Sequence, residues 1–382
     1  MDPIVIVGTG LAGYNVAREL RKLDKEVPLT LIAADSAHFY SKPMLSSALG
    51  SGKAPGAIAM NTAEQMSTQL NATVRAHVTV TAIAPAQHAV HLYKETLKYS
   101  KLVLALGADQ IRLTIGGDAA ERVMTVNDLT DYTHFRAEIT GKQAIAVIGG
   151  GLIGCEFAND LTTGGFEVSV IDIAPQPLSR LLPAAGAAMM QQKLAALGVA
   201  WHLGTSVSAI DAAGDRLRLT LASGEAFEVD AVLSAVGLRP RIALAQAADL
   251  TTNRGIVVDR KLATSDPDVF ALGDCAEVAG LVLPFVMPIM HSARALAATL
   301  AGKPTPVTYP AMPVLVKTPA CPTIVSPPPP DAAGEWIVTA DGDGVKSVFQ
   351  DSAGKILGFA LNGKATAERA ALTPQLPPVL AG

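Results

Sequence analysis

A chain of 382 residues, 49% of them hydrophobic and only 17% charged, can bury the cores of about two to three domains, and that excludes a disordered composition. Its formal net charge of −4, with no cluster of Lys or Arg, excludes nucleic acid as a main partner. The longest apolar run, Leu281 to Met290, is ten residues interrupted by Pro284 and Pro288, too short to span a bilayer.

The chain opens on Asp2 with no basic stretch, so Ile4–Val7 reads as a first strand and not as a signal peptide, and the expected compartment is the cytoplasm. This strand runs into Gly8-Thr9-Gly10-Leu11-Ala12-Gly13 and a helical pattern over Leu11–Leu23, followed by a strand over Leu29–Ala33. A turn-rich loop from Phe39 to Pro43 comes next, then short strands around Val74–Val80 and Ala89–Tyr93, and a buried strand from Lys101 that ends at Gly107-Ala108. A second unit begins near residue 111. Asn127-Asp128 can cap a helix over Leu129–Glu138, and strand Ala144–Ile148 then leads into Gly149-Gly150-Gly151-Leu152-Ile153-Gly154 and a helix over Leu152–Thr162. Strand Val168–Asp172, helix Ala184–Leu197 and strands Leu217–Leu221 and Ala231–Ser234 complete it.

Residues 241–305 read as the remainder of the first unit, with strands Gly255–Asp259 and Val269–Leu272 and a helix from about Met287 to Leu300. From Pro304 prolines crowd the chain, and Pro327-Pro328-Pro329-Pro330 predicts polyproline-like or turn structure. Strand–turn–strand signals over Trp336–Ala340, Val345–Gln350 and Ile356–Leu361 predict a small antiparallel third domain.

The two glycine patterns, 141 residues apart, carry the functional reading. With 33 glycines, G-x-G-x-x-G directly after four apolar residues arises by chance roughly 0.01 times in such a chain, so two copies are not accidental. Strand, glycine loop and helix together bring bare backbone N–H groups and a helix N-terminus up to a pyrophosphate. Two such sites imply two dinucleotides, and two dinucleotides in one chain imply electron transfer between them.

The acids at the strand ends distinguish the nucleotides. Asp172, 18 positions after Gly154, suits the free ribose 2′-OH of NAD and repels the 2′-phosphate of NADP; Arg180 reads as a pyrophosphate or surface contact. In the first unit the carboxylate is displaced to Asp35, so either Asp35 reaches the ribose or the backbone of Ala33 and Ala34 meets the adenine. Asp274, after Gly273 at the end of a strand, supplies a partner for ribityl hydroxyls, which FAD has and NAD lacks. The cysteines Cys155, Cys275 and Cys321 form no close pair, so no disulfide relay, zinc or iron–sulfur site is encoded, and the histidines show no metal spacing.

Both glycine loops, Ala105-Leu106-Gly107-Ala108, Gly237-Leu238-Arg239-Pro240 and the Gly273-Asp274 strand end resemble the FAD/NAD-dependent pyridine nucleotide-disulfide oxidoreductase superfamily, without its usual cysteine pair. The stretches Tyr40 to Ser46, Gly154 to Asp160 and Val316 to Pro322 resemble its rubredoxin reductase branch. The fold class implied is α/β. It comprises two Rossmann-like, three-layer ββα dinucleotide-binding domains, with the NAD domain (111–237) inserted in the FAD domain (1–110 and 238–305), and a small α+β C-terminal domain (306–382) near the flavin.

The resemblance also implies roles. Thr9, Gly10, Leu11 and Ala12, between Gly8 and Gly13, would contact the FAD pyrophosphate, and Ala33, Ala34 and Val80 its adenosine part. Lys42 and Glu156 would form an ion pair beside the flavin ring, Asp274 would hold the ribityl chain, Val286 would touch the flavin, and Lys317 would approach from the third domain. Gly149, Gly151, Gly154 and Asp172 would bind NAD.

Residue chemistry supports several of these assignments. Pro43 restricts the backbone of Lys42, and Glu156 is a lone carboxylate on an apolar helix that needs a cation, for which Lys42 is one candidate. A helix beginning near Met287 would aim its positive end at the flavin. The implied activity is hydride transfer from NADH to FAD, then single-electron transfer to rubredoxin, as used in alkane hydroxylation or oxygen detoxification, by a monomer that needs no metal. A [2Fe–2S] ferredoxin is the rival acceptor, and a flavin-based redox sensor is a different class of reading. Because rubredoxins are acidic, a basic patch near the flavin is expected from Lys42, Lys317 and Arg294.

Overall fold

The computed structural model describes residues 1–382. Its first sheet has five parallel strands in the order Val269–Ala271, Lys101–Leu104, Ile4–Val7, Leu29–Ile32, Thr73–Arg75. The second has the same plan, with Val199–Leu203, Glu167–Asp172, Ala144–Ile148, Ala231–Ser234 and Met124–Thr125. In each sheet the strand that feeds the glycine loop lies in the centre. Such strands are covered on both faces, so they read as unbroken apolar runs: all four residues of Ile4–Val7 and all five of Ala144–Ile148 are buried.

Two layers cover each sheet. Alternate side chains of Ala144–Ile148 go to opposite faces. Ile145 and Val147 join the helical side with Cys155, Ala158 and Met190. Ala144, Ala146 and Ile148 pack against a three-stranded antiparallel sheet, Val207–Ala213, Arg216–Leu221 and Ala226–Val229. A matching sheet, Val80–Ala84, Ala89–Leu92 and Thr96–Lys98, contributes Ile83, Val90 and Leu92 to the first core. The architecture is therefore α/β with two three-layer ββα units. The chain passes between them at a two-stranded antiparallel ladder, Ala108–Gln110 with Leu238–Pro240.

A third, wholly antiparallel sheet orders Val314–Val316, Thr323–Ser326, Ile356–Gly363, Gly344–Gln350 and Glu335–Ala340. Its Val316, Val325 and Ala360 share one core with the helical side of the second unit. No helix is long and apolar enough to cross a membrane.

The observed elements depart from expectation where side-chain pattern is weak. The stretch predicted as strands around Val74–Val80 is two strands of different sheets, separated by a corner where His77 takes φ +57°. The proline-rich stretch hides Val314–Val316 and Thr323–Ser326. An unpredicted helix, Ala63–Leu70, starts from a reciprocal cap: Gln65 N–H donates to Thr62 Oγ1 at 3.3 Å, and Thr62 N–H donates to Gln65 Oε1 at 2.8 Å.

Close approach within the first glycine loop sets a stability test. Gly8 holds φ +110°, and a Cβ on Gly13 would lie 1.9 Å from the Gly8 carbonyl oxygen, whereas one on Gly10 meets nothing within 4 Å. Gly13→Ala is expected to push helix Leu11–Leu23 off the strand and cost about 1–3 kcal/mol. Gly10→Ala leaves stability unchanged. Urea unfolding of the two variants side by side checks the contrast.

Candidate functional site

Both glycine loops present an open helix N-terminus. Helix Leu11–Leu23 begins after Gly10 and helix Leu152–Thr163 after Gly151; neither has a side-chain cap or an acid in its first turn. A Cβ on Gly10 or Gly151 would meet nothing within 4 Å, while one on Gly154 would lie 1.8 Å from the Gly149 oxygen. Each loop thus packs tightly behind and is bare in front, with unpaired N–H groups at the positive end of a helix. This arrangement fits a pyrophosphate at both places.

Asp172 ends strand Glu167–Asp172 and stays beside the second loop. Its Oδ2 accepts from Gly150 N–H, and its Oδ1 accepts from Ala174 N–H at 2.7 Å. Arg180 is exposed. In the first unit Asp35 is exposed and closes its own turn, accepting from Ala37 N–H at 2.9 Å. Ala33 is buried with its backbone engaged: its N–H donates to Arg75 O at 3.0 Å and its oxygen accepts from Val78 N–H at 2.8 Å. Ala34 is exposed, and Val80 is half-buried at the start of its strand.

Gly273 holds φ +78°, and a Cβ there would lie 2.9 Å from the Ala12 Cβ, so this strand end crosses the first turn of helix Leu11–Leu23. That crossing puts Asp274 above the first loop. Burial pushes the Asp274 carboxyl up, and the Lys42 ammonium is the one group that opposes the rise. Burial in turn pushes Lys42 down, with Asp274 the leading opposing charge. Lys42 opens a single 3-10 turn, Lys42–Ser46, and its Nζ donates to Asn127 Oδ1 at 2.7 Å.

The expected Lys42–Glu156 ion pair does not form. Glu156, 1% exposed on helix Leu152–Thr163, is paired instead with Lys317 Nζ. Its Oε1 accepts from the Lys317 backbone N–H at 2.9 Å and its Oε2 from the Ser46 hydroxyl at 2.6 Å, while Lys317 Nζ donates to Ser46 Oγ at 2.8 Å. The reason is docking. The third sheet presents the end of Val314–Val316 to this helix face, so Lys317 delivers an amide and an ammonium together, and Lys42 turns toward Asn127.

Further residues complete the clamp. Asp160 accepts from Gly50 N–H at 2.8 Å and Leu49 N–H at 3.1 Å, and Asn159 Oδ1 accepts from Ala320 N–H at 3.0 Å. The sequence did hold a signal for them: polar residues at 156, 159 and 160 share one face of an otherwise apolar helix, and buried polar groups need partners. Ser46 and Asn127 carried none.

All three cysteines are free and buried. Cys155 donates weakly to Gly150 O at 3.3 Å, and burial lifts the Cys275 thiol to about 11. The three residues expected to form a basic patch do not come together, and the groove that holds Arg294 also contains Glu19, paired with Lys22 at 2.8 Å. Lys42 and Lys317 point inward, whereas Arg294 lines an open groove with Arg18, Arg21 and Lys22.

The clamp yields a test. Lys317→Met leaves Glu156 buried and unpaired, and is expected to cost about 3–5 kcal/mol in urea unfolding; adding Glu156→Gln restores most of that loss.

Comparison with known proteins places the chain. Residues 2–298 match the family described as pyridine nucleotide-disulphide oxidoreductase, and residues 306–376 match the rubredoxin binding C-terminal domain. The chain is 50% identical over 382 residues to the rubredoxin-NAD(+) reductase of Alcanivorax borkumensis, covering 100% of both chains. It is 47% identical over 390 aligned residues to the rubredoxin-NAD(+) reductase of Acinetobacter baylyi, covering 100% of this chain and 99% of that one. Among solved structures it is similar to the ferredoxin reductase for the CYP199A2 system from Rhodopseudomonas palustris, with TM-score 0.89, 26% identity and coverage of 99% and 96%. With two bare glycine loops and no cysteine pair between them, the chain belongs to the pyridine nucleotide-disulphide oxidoreductase family.

Proposed function

We propose that this protein is an FAD-dependent oxidoreductase that takes hydride from NADH and passes electrons singly to rubredoxin. The observation that carries the reading is the pair of bare glycine loops, with the half-buried Lys42 and Asp274 beside the first and a domain matching rubredoxin-binding proteins clamped to the helix of the second. In this reading residues 1–110 and 238–305 hold FAD, 111–237 hold NAD, and 306–382 close over the flavin side. The reaction runs in the cytoplasm, where NADH is regenerated.

Each side chain then has a task. The N–H groups of Thr9 to Ala12 bind the FAD pyrophosphate, between Gly8 and Gly13. Asp274 accepts from a ribityl hydroxyl, which supplies the partner that its burial demands. Ala34, with Val80 beyond it, borders the adenosine, while the engaged backbone of Ala33 only shapes that wall. Lys42 keeps a positive charge at the ring, and Val286, first residue of helix Val286–Leu300, sits where the helix N-terminus adds to it. Glu156 and Lys317 fix the third domain against the ring and hold no proton in transit. Gly149, Gly151 and Gly154 receive the NAD pyrophosphate, and Asp172 accepts from the ribose 2′-OH. FAD, when bound, supplies the step from two-electron to one-electron chemistry, so no nucleophile or general base is required of the protein.

A [2Fe–2S] ferredoxin is the second acceptor to test, because a ferredoxin reductase shares this fold across 99% of the chain. Stopped-flow mixing separates the two. NADH should bleach the flavin, and rubredoxin should then reoxidise it faster than ferredoxin does, at a rate that falls as salt screens the Arg294 groove. Protein that is colourless and refuses FAD, or salt-independent rubredoxin reduction, would overturn the reading or its docking part respectively. Asp172→Ala is expected to lower kcat/KM for NADH by about 10- to 100-fold with little change for NADPH, measured as flavin bleaching at limiting nucleotide.

A further inference from the structure

Lys42 is a desolvated ammonium with three N–H donors, and the protein offers it one acceptor, the Oδ1 of Asn127 at 2.7 Å. That oxygen is itself locked. Asn127 Nδ2 donates to Ala108 O at 2.8 Å, and Asn127 N–H donates to Asp131 Oδ2 at 2.9 Å. Turning the amide over would set its NH2 against the ammonium and its oxygen against a carbonyl, so only one orientation is compatible with both neighbours. Ala108 belongs to the ladder Ala108–Gln110 with Leu238–Pro240, where the chain passes between the two units, and Asn127 directly precedes Asp128, the N-cap of helix Leu129–Glu138. The side chain that holds Lys42 is therefore anchored in the second unit and in the crossing, while Lys42 lies on the loop of the first.

We propose that Asn127 is a positioning residue for electron transfer: it aims the Lys42 ammonium at the flavin and makes that aim depend on how the NAD unit is seated. The proposal rests on the placement of Lys42 beside the flavin given above. The other charges around Lys42 are Asp274, Asp128 and Asp131, which favour the ammonium, and Arg241, which opposes it. Desolvation outweighs them and lowers the lysine, so an alkaline limb in the reduction rate is expected below the ordinary lysine range.

The test uses the FAD-loaded full chain with four forms: wild type, Asn127→Leu, Asn127→Asp and Lys42→Met. Two readouts are taken, the dissociation constant of sulfite for the flavin, which a nearby positive charge tightens, and the pH profile of flavin reduction by NADH. Asn127→Leu removes one hydrogen bond to a charged group, so sulfite is expected to bind about tenfold more weakly. The alkaline limb should move to lower pH in Asn127→Leu and to higher pH in Asn127→Asp, which sets a carboxylate against the ammonium; a merely structural role would not move them in opposite directions. Lys42→Met should abolish the limb. If it does and the Asn127 variants share the wild-type limb or shift it the same way, the role of Asn127 is overturned alone. If Lys42→Met keeps the limb, the placement of Lys42 at the flavin falls with it. Should Asn127→Leu not fold, Asn127→Ala removes the same acceptor with less bulk, and a limb unmoved from wild type in Asn127→Ala overturns the proposal.

Discussion

A carboxylate sealed from water needs a cation and full hydrogen bonding, and the structure is organised around one such group. Glu156 lies on the helix whose first turn forms the second nucleotide loop, yet its partners come from two other parts of the chain, Ser46 and Lys317. Together with Asn159 and Asp160 it makes one helix face the meeting point of the Lys42–Ser46 turn, the loop at Leu49-Gly50 and the third sheet. An apolar contact could glue these parts together, but it would tolerate sliding. A row of directional bonds sets their spacing.

The two nucleotide units show how one plan is adapted to two tasks. Both have a central strand, a loop that is tight behind and bare in front, and a flanking antiparallel layer. They differ at the rim. The second retains Asp172 tied to its own loop, whereas the first gives its carboxylate at Asp35 to a local turn and recruits Asp274 from a strand 239 positions downstream in the sequence. Burial works against the charged forms of both Asp274 and Lys42, and each is the leading charge that favours the other's ionised form, without a direct bond between them, a space that a polar ligand can complete.

Much of this was legible in the residues themselves. Central strands buried on both faces give continuous apolar runs, so Ile4–Val7 and Ala144–Ile148 were recognisable, and helices Leu11–Leu23, Leu129–Glu138 and Ala184–Leu197 have the predicted bounds. The antiparallel layers were harder, because a strand such as Val207–Ala213 is half exposed and, apart from Val207 and Ile210, built of residues with little β preference. The partner of Glu156 was out of reach for a different reason. Composition indicates that a buried acid needs a cation, but which lysine answers depends on the docking of a sheet 161 residues away. In the sequence Asn127 reads as part of a helix start, and nothing local distinguishes that task from holding Lys42.

The crossing ladder has a consequence for synthesis on the ribosome. The first sheet needs Val269–Ala271 at its edge, and the strand Ala108–Gln110 needs Leu238–Pro240, so neither is complete when the N-terminal segment emerges. The second sheet draws all its strands from residues between 124 and 234 and can close while its predecessor still waits. Contacts that span so much chain are slow to form, and an already folded insert shortens the effective loop that must be closed. The insert's own sheet can thus be complete before that of the segment made ahead of it, while its helical face still waits for Val316, Val325 and Ala360 of the third sheet.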